Sequence, residues 1–340
     1  MQYYIMTNRQ IIVDPVTKTE SINTSRDGNF TDHIRFASFD SAQPGSDAYT
    51  LLPDTPSAAN DFFLKLHADM TGDDGGDVLI FFHGFECDWP CGISNLRDME
   101  RQHINAAGSK IKHIIGFSWP SEGDLLKYHQ DELIAQASGN TAGHCFKLLI
   151  EFFSTHFPPS QNVIEPCNRK IHLICHSMGN QVLQNMIASI NFQSIPYLGV
   201  FEEIILVAAD IDNDAFEKDA DKTLYSLNNM CRRVHIYCNR ADSALLISDS
   251  TKHHFKRLGM DGPANLNVLP SHIYVIDTTD VKDEVDDFFK DLKDEIIHHW
   301  YYKTVPKVVA DIQSVLNGQN DEDIHNRQIT WPGVKYRIKQ

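Results

Sequence analysis

The decapeptide IHLICHSMGN, residues 171–180, decides how the chain is read. Five residues that are mostly apolar end abruptly in small and polar ones, and Val182, Met186 and Ile190 then recur at a spacing of four. That is a buried strand, a tight turn and an amphipathic helix. Ser177 stands at the turn, either as an activated nucleophile or as a helix N-cap. A nucleophile elbow requires this strand–turn–helix context, and its sharp bend needs small residues two before and two after the serine. Gly179 meets the need, and Cys175 takes the place of the usual glycine, so that G-x-S-x-G reads C-H-S-M-G. The helix that follows would aim its free N–H groups at the serine, with the Met178 amide as a natural oxyanion donor.

Outward from this stretch, short apolar runs alternate with helical patterns. The expected strands are YYIMT (3–7), HIRFASF (33–39), DVLIFFHG (77–84), IKHIIGFSW (111–119), KIHLICHS (170–177), FEEIILVAAD (201–210), RVHIYCN (233–239) and SHIYVIDT (271–278). Most are continuously apolar, as strands covered on both faces are. Helices are expected over 125–157 with a break near Gly139, over 178–190, over 283–297 and over 306–316. The result is an α/β fold with a mostly parallel central sheet of about eight strands flanked by helices. No Gly/Ser- or Pro-rich linker divides the 340 residues, so one domain over 1–340 is expected.

Composition bounds the function classes. The chain is 42% hydrophobic and 22% charged, as globular proteins are. A net charge of −16 repels phosphate backbones, which argues against nucleic acid as a partner. No apolar run approaches the roughly 18 residues of a membrane span. The seven cysteines, an odd number lying partly inside apolar runs, read as reduced thiols. With no signal-peptide pattern at the N-terminus, a cytoplasmic location is expected. Cys87 and Cys91 lack a matching second pair for a metal site, and Asp73, Asp74 and Asp77 lack the closing glutamate of a calcium loop. No metal or organic cofactor is expected.

A second segment raises the functional reading of Ser177. FFHGFECDW (81–89) closes the third strand with His83 and Gly84, where the backbone can turn towards a substrate and Phe85 or Glu86 can present an N–H. A nucleophilic serine also needs a base and an orienting carboxylate, in the chain order Ser, Asp or Glu, His. Asp242, just beyond the seventh strand, is the preferred acid over Asp210 and Asp212. His298 and His299, after the eighth strand, are the candidate bases. His272 sits within a strand, and His253 and His254 come too early in the order.

The ordered set YIMTNR, VLIFFHGF, GFSWPSEG…KYHQD, IHLICHSMGN, VAADIDNDAF, RADSAL…RLG and HHWYY resembles the α/β-hydrolase family catalogued as a domain of unknown function 900. The resemblance runs from about residue 3 to residue 312. It implies a serine esterase or lipase with Ser177, Asp242 and His299 as catalytic residues. His83, Gly84, Trp119, His176 and Tyr301 would line the substrate pocket, with Phe85 and Met178 as oxyanion donors. The implied partner is a small ester or acyl substrate. A catalytically silent binding scaffold and a thioesterase or acyltransferase stay open as alternatives. The acidic stretch 279–298 reads as a solvated helix or a lid.

Overall fold

The computed structural model describes all residues except 26–28, 44, 46–47, 122–127, 159–162, 165, 219–222, 247–255, 282–297, 332–333 and 340. The strands are β1 (Gln2–Arg9), β2 (Ile11–Val13), β3 (Glu20–Ile22), β4 (Phe30–Asp40), β5 (Tyr49–Leu51), β6 (Asp77–Phe82) and β7 (Ile111–Ser118). They continue as β8 (Ile171–His176), β9 (Phe201–Val207), β10 (Cys231–Cys238), β11 (Ile273–Asp277), β12 (Arg327–Trp331) and β13 (Lys335–Ile338). Eleven of them form one sheet in the order β12-β13-β11-β10-β9-β8-β6-β7-β1-β4-β5, and β2 and β3 make a separate ribbon. The sheet is parallel from β1 to β13. It turns antiparallel at both edges, where β4, β5 and β12 pair.

The eight expected strands are all present, and the sheet exceeds the expected count through β5, β12 and β13. These three are short strands at or next to the sheet edges, whose partners are supplied by tertiary structure. β6, β8, β9 and β10 are buried almost throughout, because helices cover both faces. Alternate residues divide between the two faces. Leu173, Cys175, Ile80 and Phe82 join the core beneath α1 (Ala58–Thr71), α3 (Tyr128–His156) and α4 (Gly179–Phe192). Ile174, Leu79 and Phe81 join the core beneath α2 (Trp89–Met99) and the helix Pro306–Leu316.

Two expectations are corrected. α3 runs unbroken through Gly139. A Cβ there would come within 2.4 Å of Asn185 Cβ and 2.7 Å of Val182 O, so the glycine serves close packing of α3 on α4 rather than a break. Cys87 and Cys91 form a disulfide, whereas all cysteines were expected reduced. Asp88 caps α2 by accepting the Cys91 N–H at 2.9 Å, and this first turn holds the two Cα atoms 5.1 Å apart, within bridging range. The other five cysteines are free. The expected helix over 283–297 lies outside the described residues, as do His253 and His254. Among the described residues no helix is long and apolar enough to cross a membrane, and no cluster of His, Cys, Asp or Glu is arranged to hold a metal ion.

Candidate active site

The site forms at the carboxyl ends of the parallel strands. β8 ends at His176, and Ser177 adopts φ +51°, a left-handed conformation that a non-glycine residue rarely takes. Main-chain bonds fix this bend: the Ser177 N–H donates to Val207 O at 3.1 Å, and Ser177 O accepts from the Asp210 N–H at 3.2 Å. The Asn180 side chain adds two more, donating to Cys175 O and Ser177 O. A Cβ on Gly179 would meet Phe82 O and His83 O at 2.6 Å, so the elbow turns directly against the end of β6. Glu86, Ala208 and His298 also have positive φ, which concentrates backbone strain around one site.

Of the three candidate acids, Asp242 is bonded to a histidine. Its Oδ2 lies 2.8 Å from His299 Nδ1, and its Oδ1 accepts the Leu245 N–H at 3.0 Å. Asp242 is fully buried, His299 is 7% exposed and Ser177 is 5% exposed. Burial raises the Asp242 carboxyl above its ordinary value, and this outweighs the lowering by the charge and bond of His299 and by the Leu245 amide. His298, beside it, is partly exposed. Asp210 instead meets the Tyr128 hydroxyl and Arg257, and Asp212 meets Arg257.

The loop after β6 closes on the elbow. A Cβ on Gly84 would fall 2.8 Å from Ser177 Cβ, so only glycine allows this approach. The Glu86 N–H is engaged by Ser121 Oγ at 2.9 Å, and Ser121 donates in turn to Asp131. The Phe85 and Met178 amides donate to no protein group among the described residues. Arg9, fully buried, ties the loop to the end of β7 by donating to Cys87 O, Trp119 O and Ser118 Oγ. Burial draws its guanidinium down to about 10.

Four residues expected to line the pocket are buried within the protein. His83 and Trp119 are buried and stacked at 5.2 Å. Trp119 donates its main-chain N–H to His83 Nε2 and its indole N–H to His83 O, which fixes the imidazole with its Nδ1 on Gly84 O. Burial, with Arg9 nearby, pushes His83 down to about 3. Tyr301 is fully buried, donating its hydroxyl to Tyr237 O and accepting the Ala208 N–H, both at 2.9 Å. It bolts the histidine-bearing segment to the ends of β9 and β10. His176 points to the opposite face of β8 from Cys175. It packs on the rings of His299, Trp300 and Tyr302 at 4.7–4.8 Å, and burial, with His299 nearby, draws its imidazole well below the ordinary value. Asn180 and Arg9 were not singled out in the sequence, and Ser121, which the resemblance placed with Trp119 and Pro120 in the pocket lining, instead bonds the Glu86 N–H and Asp131. Their roles depend on partners far away in the chain, apart from Asn180, whose place two residues after Met178 was a readable signal.

A comparison with curated proteins finds no match. The model of the family described as alpha/beta hydrolase of unknown function (DUF900) matches residues 60–318, and the chain belongs to that family.

Proposed function

We propose that the protein is a serine hydrolase that cleaves carboxylic esters through an acyl-enzyme intermediate. One observation carries the reading: a buried carboxylate, Asp242, holds His299 by Nδ1 at 2.8 Å, on a segment whose imidazole packs against the residue preceding Ser177. With Nδ1–H donated to Asp242, Nε2 is the nitrogen that takes the proton from Ser177 Oγ as the oxygen attacks the ester carbonyl. Asp242 holds the tautomer and stabilises the imidazolium. The amides of Phe85 and Met178 receive the oxyanion, each worth about 3 kcal/mol of transition-state stabilisation. His299 returns its proton to the leaving alkoxide, then activates the water that releases the acid.

The test is a panel of aryl esters of graded acyl length run beside acyl thioesters. Ester turnover that falls about 10⁴-fold in Asp242→Asn supports the reading. Turnover unchanged by that substitution contradicts it, and a preference for thioesters moves the substrate class.

A further inference from the structure

Three of the sequence motifs that the proposed chemistry leaves unused meet beside the elbow. Tyr128 comes from KYHQD, Asp210 and Asp212 from VAADIDND, and Arg257 from the RLG that follows RADSAL. The Tyr128 hydroxyl donates to Asp210 Oδ2, while its ring packs on Phe85 at 5.5 Å. Arg257 Nε lies 3.3 Å from Asp210 Oδ1, and its Nη1 donates to Asp212 Oδ1 at 3.1 Å. Asp210 is bound to the elbow itself through its N–H on Ser177 O and its carbonyl under the Gln181 side chain.

The segment carrying Arg257 is seated against both loops of the site. The Leu258 and Gly259 N–H groups donate to Ile211 O and Ala209 O, and Gly259 O accepts from Asn239, whose own carbonyl accepts the Asp242 N–H. A Cβ on Gly259 would fall 2.4 Å or less from the Ala208–Ala209 main chain. Arg257 is 3% exposed, yet its Nε and Nη2 have no hydrogen-bond partner among the described residues. Burying a guanidinium with two unmet donor nitrogens is costly, so what its position supplies towards Asp210 is charge rather than a hydrogen bond.

We propose that Arg257 is a positioning residue that neutralises Asp210 and so keeps a second negative charge from acting on the Asp242–His299 pair. This rests on the serine-hydrolase reading only for its kinetic consequence. An uncompensated Asp210, tied to the elbow through its N–H on Ser177 O, would favour the imidazolium and would oppose ionisation of Asp242. The other charged or titratable groups on the cluster are Asp212 and Tyr128, and His176 packs on the His299 ring at 4.8 Å with Lys303 nearby.

The experiment titrates His299 by NMR in ¹⁵N-histidine-labelled protein, assigned with His299→Gln, and measures the pH dependence of ester kcat/KM in parallel. Arg257→Met should move the His299 titration to higher pH and lower the ratio of kcat/KM at pH 6 to that at pH 8 about threefold or more, half a pH unit being a factor of three. Arg257→Lys should behave as the parent, and Arg257→Met with Asp210→Asn should return to it. Should Arg257→Met fail to fold, the near-isosteric Asp210→Asn is read alone and should move the titration to lower pH. An Arg257→Met titration equal to the parent's, an Arg257→Lys shift equal to that of Arg257→Met, or an unmoved Asp210→Asn overturns the proposal. The NMR shift in protein that lacks Ser177-dependent turnover sustains the proposal and defeats the hydrolase reading instead.

Discussion

Two of the buried polar clusters along the sheet are built on opposite principles. One lies around Glu203 of β9. Arg233 reaches the Glu203 carboxylate at 2.8–3.0 Å and Asp321 at 2.8 Å, while His235 meets Glu203 at 3.0 Å. Arg327 continues the chain to Asp311 and Asp321, and the Tyr237 hydroxyl donates to Asp311. The other is the Ser177, Asp242 and His299 group at the strand ends. Burial raises both acids, but the outcome differs. At Glu203 the bonds from His235 and Arg233 outweigh burial and hold the carboxyl down to about 2. At Asp242, with one imidazole and one amide, burial wins. Carboxylates with several counter-charges become a clamp, here holding Arg327 of β12 and Asp321 to β9 and β10. A carboxylate with a single ionisable partner keeps that partner poised for proton transfer.

The contrast breaks most visibly at Ser177. Ser177→Ala or His299→Ala should lower ester kcat/KM by about 10⁴–10⁶-fold with a melting temperature close to the parent's. Glu203→Gln should do the reverse. Removing one member of a buried ionic network costs about 3–5 kcal/mol, while activity per folded molecule stays near the parent's, as denaturant unfolding beside active-site titration would show. The sign of the acid response follows from the lowered Glu203 pKa. Its stabilisation is present above the ordinary value of 4.5 and is lost as pH falls from there towards about 2. The Glu203→Gln protein should therefore lose less stability across that window, and a parallel acid profile would refute the clamp.

Gly84→Ala is the next step down. The added methyl meets Ser177 Cβ, and a displacement of order 1 Å in the oxyanion loop costs about 10²-fold in kcat. Equal kinetics would remove the Phe85 amide from the site. The smallest effect is on stability at Asp242. An acid raised by burial stabilises the fold below its ordinary value of 3.8, and that contribution is lost as pH rises through the folded value. Asp242→Asn should thus melt no lower than the parent at pH 7 while losing activity, and a large drop in melting temperature would make Asp242 a structural residue.

Much of this was legible in the sequence, for reasons that differ from element to element. Continuously apolar strands such as β6 and β8 announce burial on both faces, and the step from Cys175 through Gly179 announces the bend. The edge strand β12 and its neighbour β13 carry no such signal, since RQITW and KYRI are short and half-polar, and β13 pairs with β11 and β12 with β13 across the end of the sheet. The disulfide was hidden because a spacing of four becomes bridging range only once Asp88 starts a helix turn. Trp119 and Tyr301 read as pocket residues from their place in the motifs, whereas their polar atoms are taken up by main chain from distant strands. Tyr128, Asp210 and Arg257 stand 47 or more residues apart in the chain, and no local pattern joins them.

The most direct measurement is covalent. The protein, incubated with a fluorophosphonate and digested, should carry a single adduct on the peptide containing Ser177, formed much more slowly in His299→Gln and absent in Ser177→Ala. An adduct that persists in Ser177→Ala, or a parent protein that remains unmodified while correctly folded, would contradict the account.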